Sequence, residues 1–145
     1  MTKKQMEMMV LLQDLALAFI INSTATILSG GFTDTWVYLA GMFEAFFINY
    51  IAGLIIPVDR IGRAVAGGIG LKEGGLLHKL VRIFIVNAIF VTIISFCIAL
   101  INCGPVSAVV SIWWRTYPIL HLTGFIASIL LEEPCSRLAQ TIVDK

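Results

Sequence analysis

The stretch "IFIVNAIFVTIISFCIALIN", residues 83–102, runs for its whole length without a charged side chain. As a helix rising about 1.5 Å per residue it would span about 30 Å, the thickness of a bilayer's hydrocarbon core. Three further apolar windows of similar length fall at roughly 9–29, 36–56 and 107–131. The composition agrees: of 145 residues 59% are hydrophobic and 13% charged, and mean hydropathy is +0.94. A soluble domain carries about 25% charged residues, so this is the composition of a membrane protein. The formal net charge is +1, and no basic stripe interleaves with aromatics, which excludes a nucleic-acid binder.

The expected fold is therefore all-α: a polytopic membrane four-helix bundle built as one domain, residues 1–145. "SGGFTD" and "NCGP" supply turn residues for two hairpins, at 9–67 and 83–145, joined by a cytoplasmic linker at 68–82. "PVDRIGRAVA" and "PCSRLAQTIV" each begin with proline and carry arginine one turn later. They read as short interfacial helices after the second and fourth spans, with Arg60, Arg63 and Arg137 placed to contact lipid phosphate.

Nine of the ten Lys and Arg residues lie in the N-terminus, the central connection and the C-terminal tail, and neither hairpin turn has any. By the positive-inside rule both termini are cytoplasmic and the chain is a multi-pass protein of the cytoplasmic membrane. A cleavable signal peptide at the first span is disfavoured by Gln13 and Asp14, which interrupt its apolar run.

The second half repeats the first in outline. Aligning Trp36 with Trp113 brings Gly41 onto Pro118, Glu44 onto His121, Pro57 onto Pro134 and Arg60 onto Arg137 without a gap. Two-span copies would share one membrane orientation. The hairpin pattern, carried by "INCGPVSAVVSIWWRTYPILHLTGF" and "EEPCSRLAQ", resembles an uncharacterised bacterial domain-of-unknown-function family of short two-helix membrane units. The first half departs from it, with Tyr38 and Gly41 where Arg and Pro are expected. The resemblance implies fold and topology and brings no activity.

Small and polar residues recur at four-residue spacing: Asp14, Ala18, Asn22, Thr26 and Gly30; Gly41, Ala45, Asn49 and Gly53; Asn87, Val91, Ser95, Ala99 and Cys103. Such edges let helices approach closely and hydrogen bond across the contact, or they line a polar path. Charges within spans are costly, roughly 2.5–3.5 kcal/mol near the bilayer centre, and are expected to face one another. Glu44 and Arg115 each lie about eight residues from the outer end of their spans, roughly 12 Å deep, so an ion pair between them is expected, with His121 the rival partner for Glu44.

Two functions compete. One is transport or permeation of a small ion, proton or polar solute through an oligomer, using Glu44, Arg115 and His121 with Asp14, Asn22, Asn49 and Asn87 around them. The other is a non-catalytic scaffold or accessory subunit whose buried charges are structural. Partners are the lipid bilayer and either further copies of the chain, as a dimer or larger homo-oligomer, or a larger membrane protein. No CxxC, CxxH or HExxH spacing occurs, so neither a metal nor another cofactor is expected. Cys103 and Cys135 would face opposite sides of the bilayer and cannot pair. No Ser-His-Asp arrangement is legible, His78 falls outside the spans, and "GGIGLKEGG" lacks the pattern of a phosphate loop, so an enzyme is the weaker reading.

Overall fold

The computed structural model describes residues 1–103 and 106–143, and all the regular structure in them is helical. Helix α1 (Lys3–Leu28) opens on a capping box: Gln5 N–H donates to Thr2 Oγ1 at 3.3 Å, and Thr2 N–H donates to Gln5 Oε1 at 2.7 Å. It ends at a turn in which Gly30 and Gly31 take φ of 110° and 98°, a backbone region that side chains with a Cβ enter only with strain. Asp34 then caps α2 (Thr35–Ile55), its Oδ1 accepting from the N–H groups of Trp36 and Val37. Pro57 starts α3 (Val58–Gly68), and a short loop leads to α4 (Leu76–Cys103) and α5 (Val106–Val143).

Two expectations change. The central linker is shorter than 68–82, because α4 begins at Leu76 and carries His78, Lys79 and Arg82 on its first turns. Pro134 does not open a separate helix either. Helix α5 runs through both Pro118 and Pro134 to Val143; beyond the second proline Cys135 and Ala139 are buried, and Ser136 Oγ docks 3.5 Å from Met1 Sδ at the start of the chain. That docking offsets the lost backbone bond, about 3 kcal/mol for an interior proline. Only α3 remains as a short separate helix. The expected turn at Gly104 and Pro105 lies outside the described residues.

Helix α1 packs on α2 and α5, and α4 packs on α2, α3 and α5. The register of each contact follows from its side chains. Asn22 meets Tyr38 and Asp14 meets Asn49, so α1 and α2 are antiparallel; Ser95 meets Trp113 and Asn87 meets His121, so α4 and α5 are too. Ala45 shares a cluster with Ala18 and Ile94, while Gly53 faces Phe90, which sets α2 antiparallel to α4. Helices α2 and α5 therefore run in the same direction.

The interior is built from small residues, and the bulk faces outward. Ala18, Ala45 and Ala139 are fully buried, whereas Trp36, Leu54, Ile55 and Trp114 are 68–79% exposed. Only 17% of the apolar α2 window is buried, so the chain itself covers little of that helix. An apolar surface of this extent is a contact surface for lipid or protein. Among the described residues three helices are long and apolar enough to cross a membrane: α1, α2 and the Leu76–Ile101 part of α4. Helix α5 is longer but falls short, its apolar run being broken by Arg115, Pro118 and His121.

Candidate functional site

The seams hold the polar side chains. On α1, four-residue spacing stacks Asp14, Ala18 and Asn22 on one buried face, and Ala45 and Asn49 do the same on α2. Asn49 Nδ2 donates to Asp14 Oδ1 at 2.7 Å, with Asp14 6% and Asn49 1% exposed. This is the donor–acceptor bond the pair makes, and Asn49 Oδ1 is buried with no donor. Nearer the turn, Asn22 Nδ2 donates to Tyr38 O at 2.9 Å, and the Ser23 and Tyr38 hydroxyls are 2.7 Å apart. Gly41 admits Asn22, since a Cβ at 41 would lie 2.7 Å from Asn22 Oδ1.

The second seam joins α4 to α5. Asn87 Nδ2 donates to His121 O at 2.9 Å and lies 3.0 Å from His121 Nδ1. The bond to the carbonyl fixes which end of the amide faces the ring, so in the neutral imidazole Nδ1 accepts and Nε2 carries the proton. That Nε2 is buried without a partner. The ring stacks on Tyr117 at 5.7 Å and meets the edge of Phe84 at 4.7 Å. One turn outward, Trp113 Nε1 donates to Ser95 Oγ at 2.8 Å, and Tyr117 Oη lies 3.1 Å from Thr92 Oγ1.

The expected Glu44–Arg115 pair is absent. Among the described residues neither side chain has a hydrogen bond or an ion pair, and Glu44 does not bond His121. The reason is rotational: Arg115 is exposed and Glu44 half-exposed, on helices that sit against α1 and α4 rather than against each other. The common height of Glu44 and Arg115 was legible; the face was not. Glu44 shares its line with exposed Val37 and Ile51, one heptad either side, and Arg115 is flanked by exposed Ile112, Ile119 and Leu122.

Charges that the sequence reading left unpaired meet instead at the junction of α3, α4 and α5. Arg82 bonds Asp59 at 2.6 Å and Glu132 at 3.2 Å, Lys79 lies 2.9 Å from Glu132, and Arg63 bonds Asp59 at 2.7 Å. Burial works to raise the Asp59 pKa, but hydrogen bonds from Arg63 and Arg82 and their charges outweigh it, and the carboxyl is held below its usual 3.8. Arg137 is bound to Glu133 at 3.0 Å. Of the three arginines assigned to lipid phosphate, then, Arg63 and Arg137 already hold carboxylates on their own helices, and Arg60 is exposed with no ion pair among the described residues. The signal that would have found two of these pairs was the four-residue spacing Asp59–Arg63 and Glu133–Arg137. Glu132 carries no such local cue.

Cys97 and Cys135 are free thiols, and no group of three or more metal-ligating side chains occurs among the described residues. No family model matches the chain, and no curated protein or solved structure matches it.

Proposed function

We propose that the chain is an integral membrane four-helix bundle of two hairpins in one orientation, α1–α2 and α4–α5, with termini and α3 on the cytoplasmic side, and that it passes a proton or small cation by exchange at Asp14 and Asn49. The observation that carries this is the donor deficit of the pair. Two buried acceptor groups share one amide donor, and Asn49 Oδ1 has none. A proton on Asp14, or a cation between the oxygens, supplies what is missing. His121, with an unpartnered Nε2 on the other seam, is the second exchange group. Arg60 faces the phosphate layer from α3, beside exposed Ile61 and Val65.

The test is flux in vesicles. Reconstituted chain should discharge a pH gradient, read by an entrapped dye, or a sodium or potassium gradient, faster than empty vesicles do. Asp14→Asn and Asn49→Leu should return the rate to that of empty vesicles while circular dichroism shows the helices intact. Wild-type vesicles no leakier than empty ones to all three ions would overturn exchange.

That outcome favours a second reading, a membrane scaffold. Its support is that Asn22, Asn87 and Trp113 are each tied to the neighbouring helix. In addition, the surface hollows beside His78 and between Ile20 and Leu130 are lined by neither Asp14 nor His121.

A further inference from the structure

Glu44 and Arg115 have opposite charge, no partner among the described residues, and the same height. Glu44 lies nine residues after the start of α2, and Arg115 nine after the start of α5. Heights read from packing agree with this count. Ala45, next to Glu44, shares a cluster with Ile94 of α4, while Trp113 and Tyr117, which flank Arg115, reach Ser95 and Thr92 of the same helix. Both charges are therefore level with the 92–95 turn of α4, on helices that run in parallel.

Each charge also stands in an apolar field. Phe43, Phe47 and Ile51 surround Glu44 on the open side of α2, and Ile112, Ile119 and Leu122 surround Arg115, all 47–59% exposed. With α2 and α5 in a bilayer, as proposed above, two lone charges facing hydrocarbon are costly to insert. Snorkelling relieves this poorly for Glu44, whose side chain is short. A complementary charge at the same height offsets part of that cost, and the chain itself offers one on its other flank.

We infer that Glu44 of one copy pairs with Arg115 of the next, so that the α2 face and the α5 face form one interface between copies of this chain. The two faces belong to helices that share the neighbours α1 and α4, and they lie on different flanks. A two-fold contact would need both on one patch; two flanks give head-to-tail contacts, which repeat from copy to copy in the membrane plane beyond a dimer. Each interface then holds one pair, seated among Phe43, Phe47, Ile119 and Leu122.

The pairing rests on the membrane reading, and the experiment separates the two. Cysteines replace exposed Ala40 and Ser111, each one turn outward of its charge, in one chain, A40C/S111C, that keeps Glu44 and Arg115. Membranes are treated with a short bifunctional thiol reagent, with the parent chain as control for the native cysteines. Carbonate washing of the same membranes reports whether the chain is integral. The expected result is an integral chain that cross-links into a ladder beyond the dimer. Glu44→Gln or Arg115→Gln should cut the cross-linked fraction about tenfold or more, because the remaining charge is stranded. The double exchange E44R/R115E should restore the ladder, which loss of folding would not allow. An integral chain that stays monomeric, stops at the dimer, or cross-links equally with either charge removed overturns the pairing. A chain that washes off overturns both readings.

Discussion

At Gly124 a single hydrogen atom decides whether two helices meet. A Cβ there would lie 2.6 Å from Asn87 Oδ1, 3.1 Å from Ile21 Cδ1 and 3.2 Å from Val91 Cγ2, so α1, α4 and α5 converge on this one residue. Gly124→Ala should push Asn87 off His121 and destabilise the chain by about 1–3 kcal/mol, the usual cost of overpacking. Gly53→Ala is the matched control, because its Cβ would meet only the rim of the Phe90 ring at 3.6 Å, an ordinary contact. Melting of both variants in detergent checks this; equal midpoints would contradict it. Trp113→Phe removes one interhelical bond to Ser95, and membrane hydrogen bonds of this kind average about 0.6 kcal/mol, so its effect should be smaller than that of Gly124→Ala. The spacing of small and polar residues announced which positions would line the seams, and Asp14, Asn22, Asn49 and Asn87 are indeed buried. The sequence misled at Glu44 because depth was used without helical phase. At four residues Asn49 has Ala45 and Gly53, a continuous small-residue edge, whereas Glu44 has Ala40 and Ile48 and lies off that edge. That contrast is the sign of an outward position.

Helix α3 is held by two devices, one steric and one electrostatic. Val58, Gly62 and Ala66 form its buried edge, and a Cβ at Gly62 would lie 3.0 Å from Arg82 O, so Gly62→Ala should lift α3 from α4 while Gly67→Ala, in open space, should not. The other device is Asp59, bound to Arg63 and Arg82. Because its folded pKa lies below 3.8, its stabilisation is complete above that unfolded value and is lost as pH falls through the folded one. Protection of α3 amides from hydrogen exchange, corrected for intrinsic rates, should therefore hold from neutrality to about pH 5 and decline only in stronger acid. Asp59→Asn should lower protection at neutral pH by less than about 1 kcal/mol, since the pair is half-exposed, and should abolish the acid response. An acid response unchanged in Asp59→Asn would contradict this role. Helix boundaries were legible to within a turn at Asp34 and Gly30, whereas the Thr2–Gln5 capping box, which opens α1 at Lys3, went unread and the first span was placed from about residue 9. The continuation of α5 past Pro134 was not legible, because it goes with a tertiary feature, the burial of Cys135 and Ala139 in a helix that packs on α1 and α4.

Over the whole molecule, α1, α2, α4 and α5 each touch two of the others in a closed order, with small and polar groups inside and aromatic and aliphatic bulk outside. The apolar surplus was plain from composition, and the small and polar edges from their four-residue spacing. The partner of each polar group was not, since it depends on how four helices are rotated about their axes. The exchange proposed at Asp14 and Asn49, the pairing proposed between Glu44 and Arg115, and the position proposed for α3 by the phosphate layer all require α5 to be a fourth crossing despite Arg115 and His121. Single cysteines at Thr33, in the first turn, at Lys72, before α4, and at Thr141, near the end of α5, report that directly. They are introduced in a chain whose native cysteines are replaced, and intact cells are probed with a membrane-impermeant thiol reagent. Four crossings give labelling at position 33 from outside, with positions 72 and 141 reacting only once the cells are opened. Labelling of positions 33 and 141 together in intact cells, with 72 protected, would mean three crossings and would contradict the bundle on which the exchange site and the interface depend.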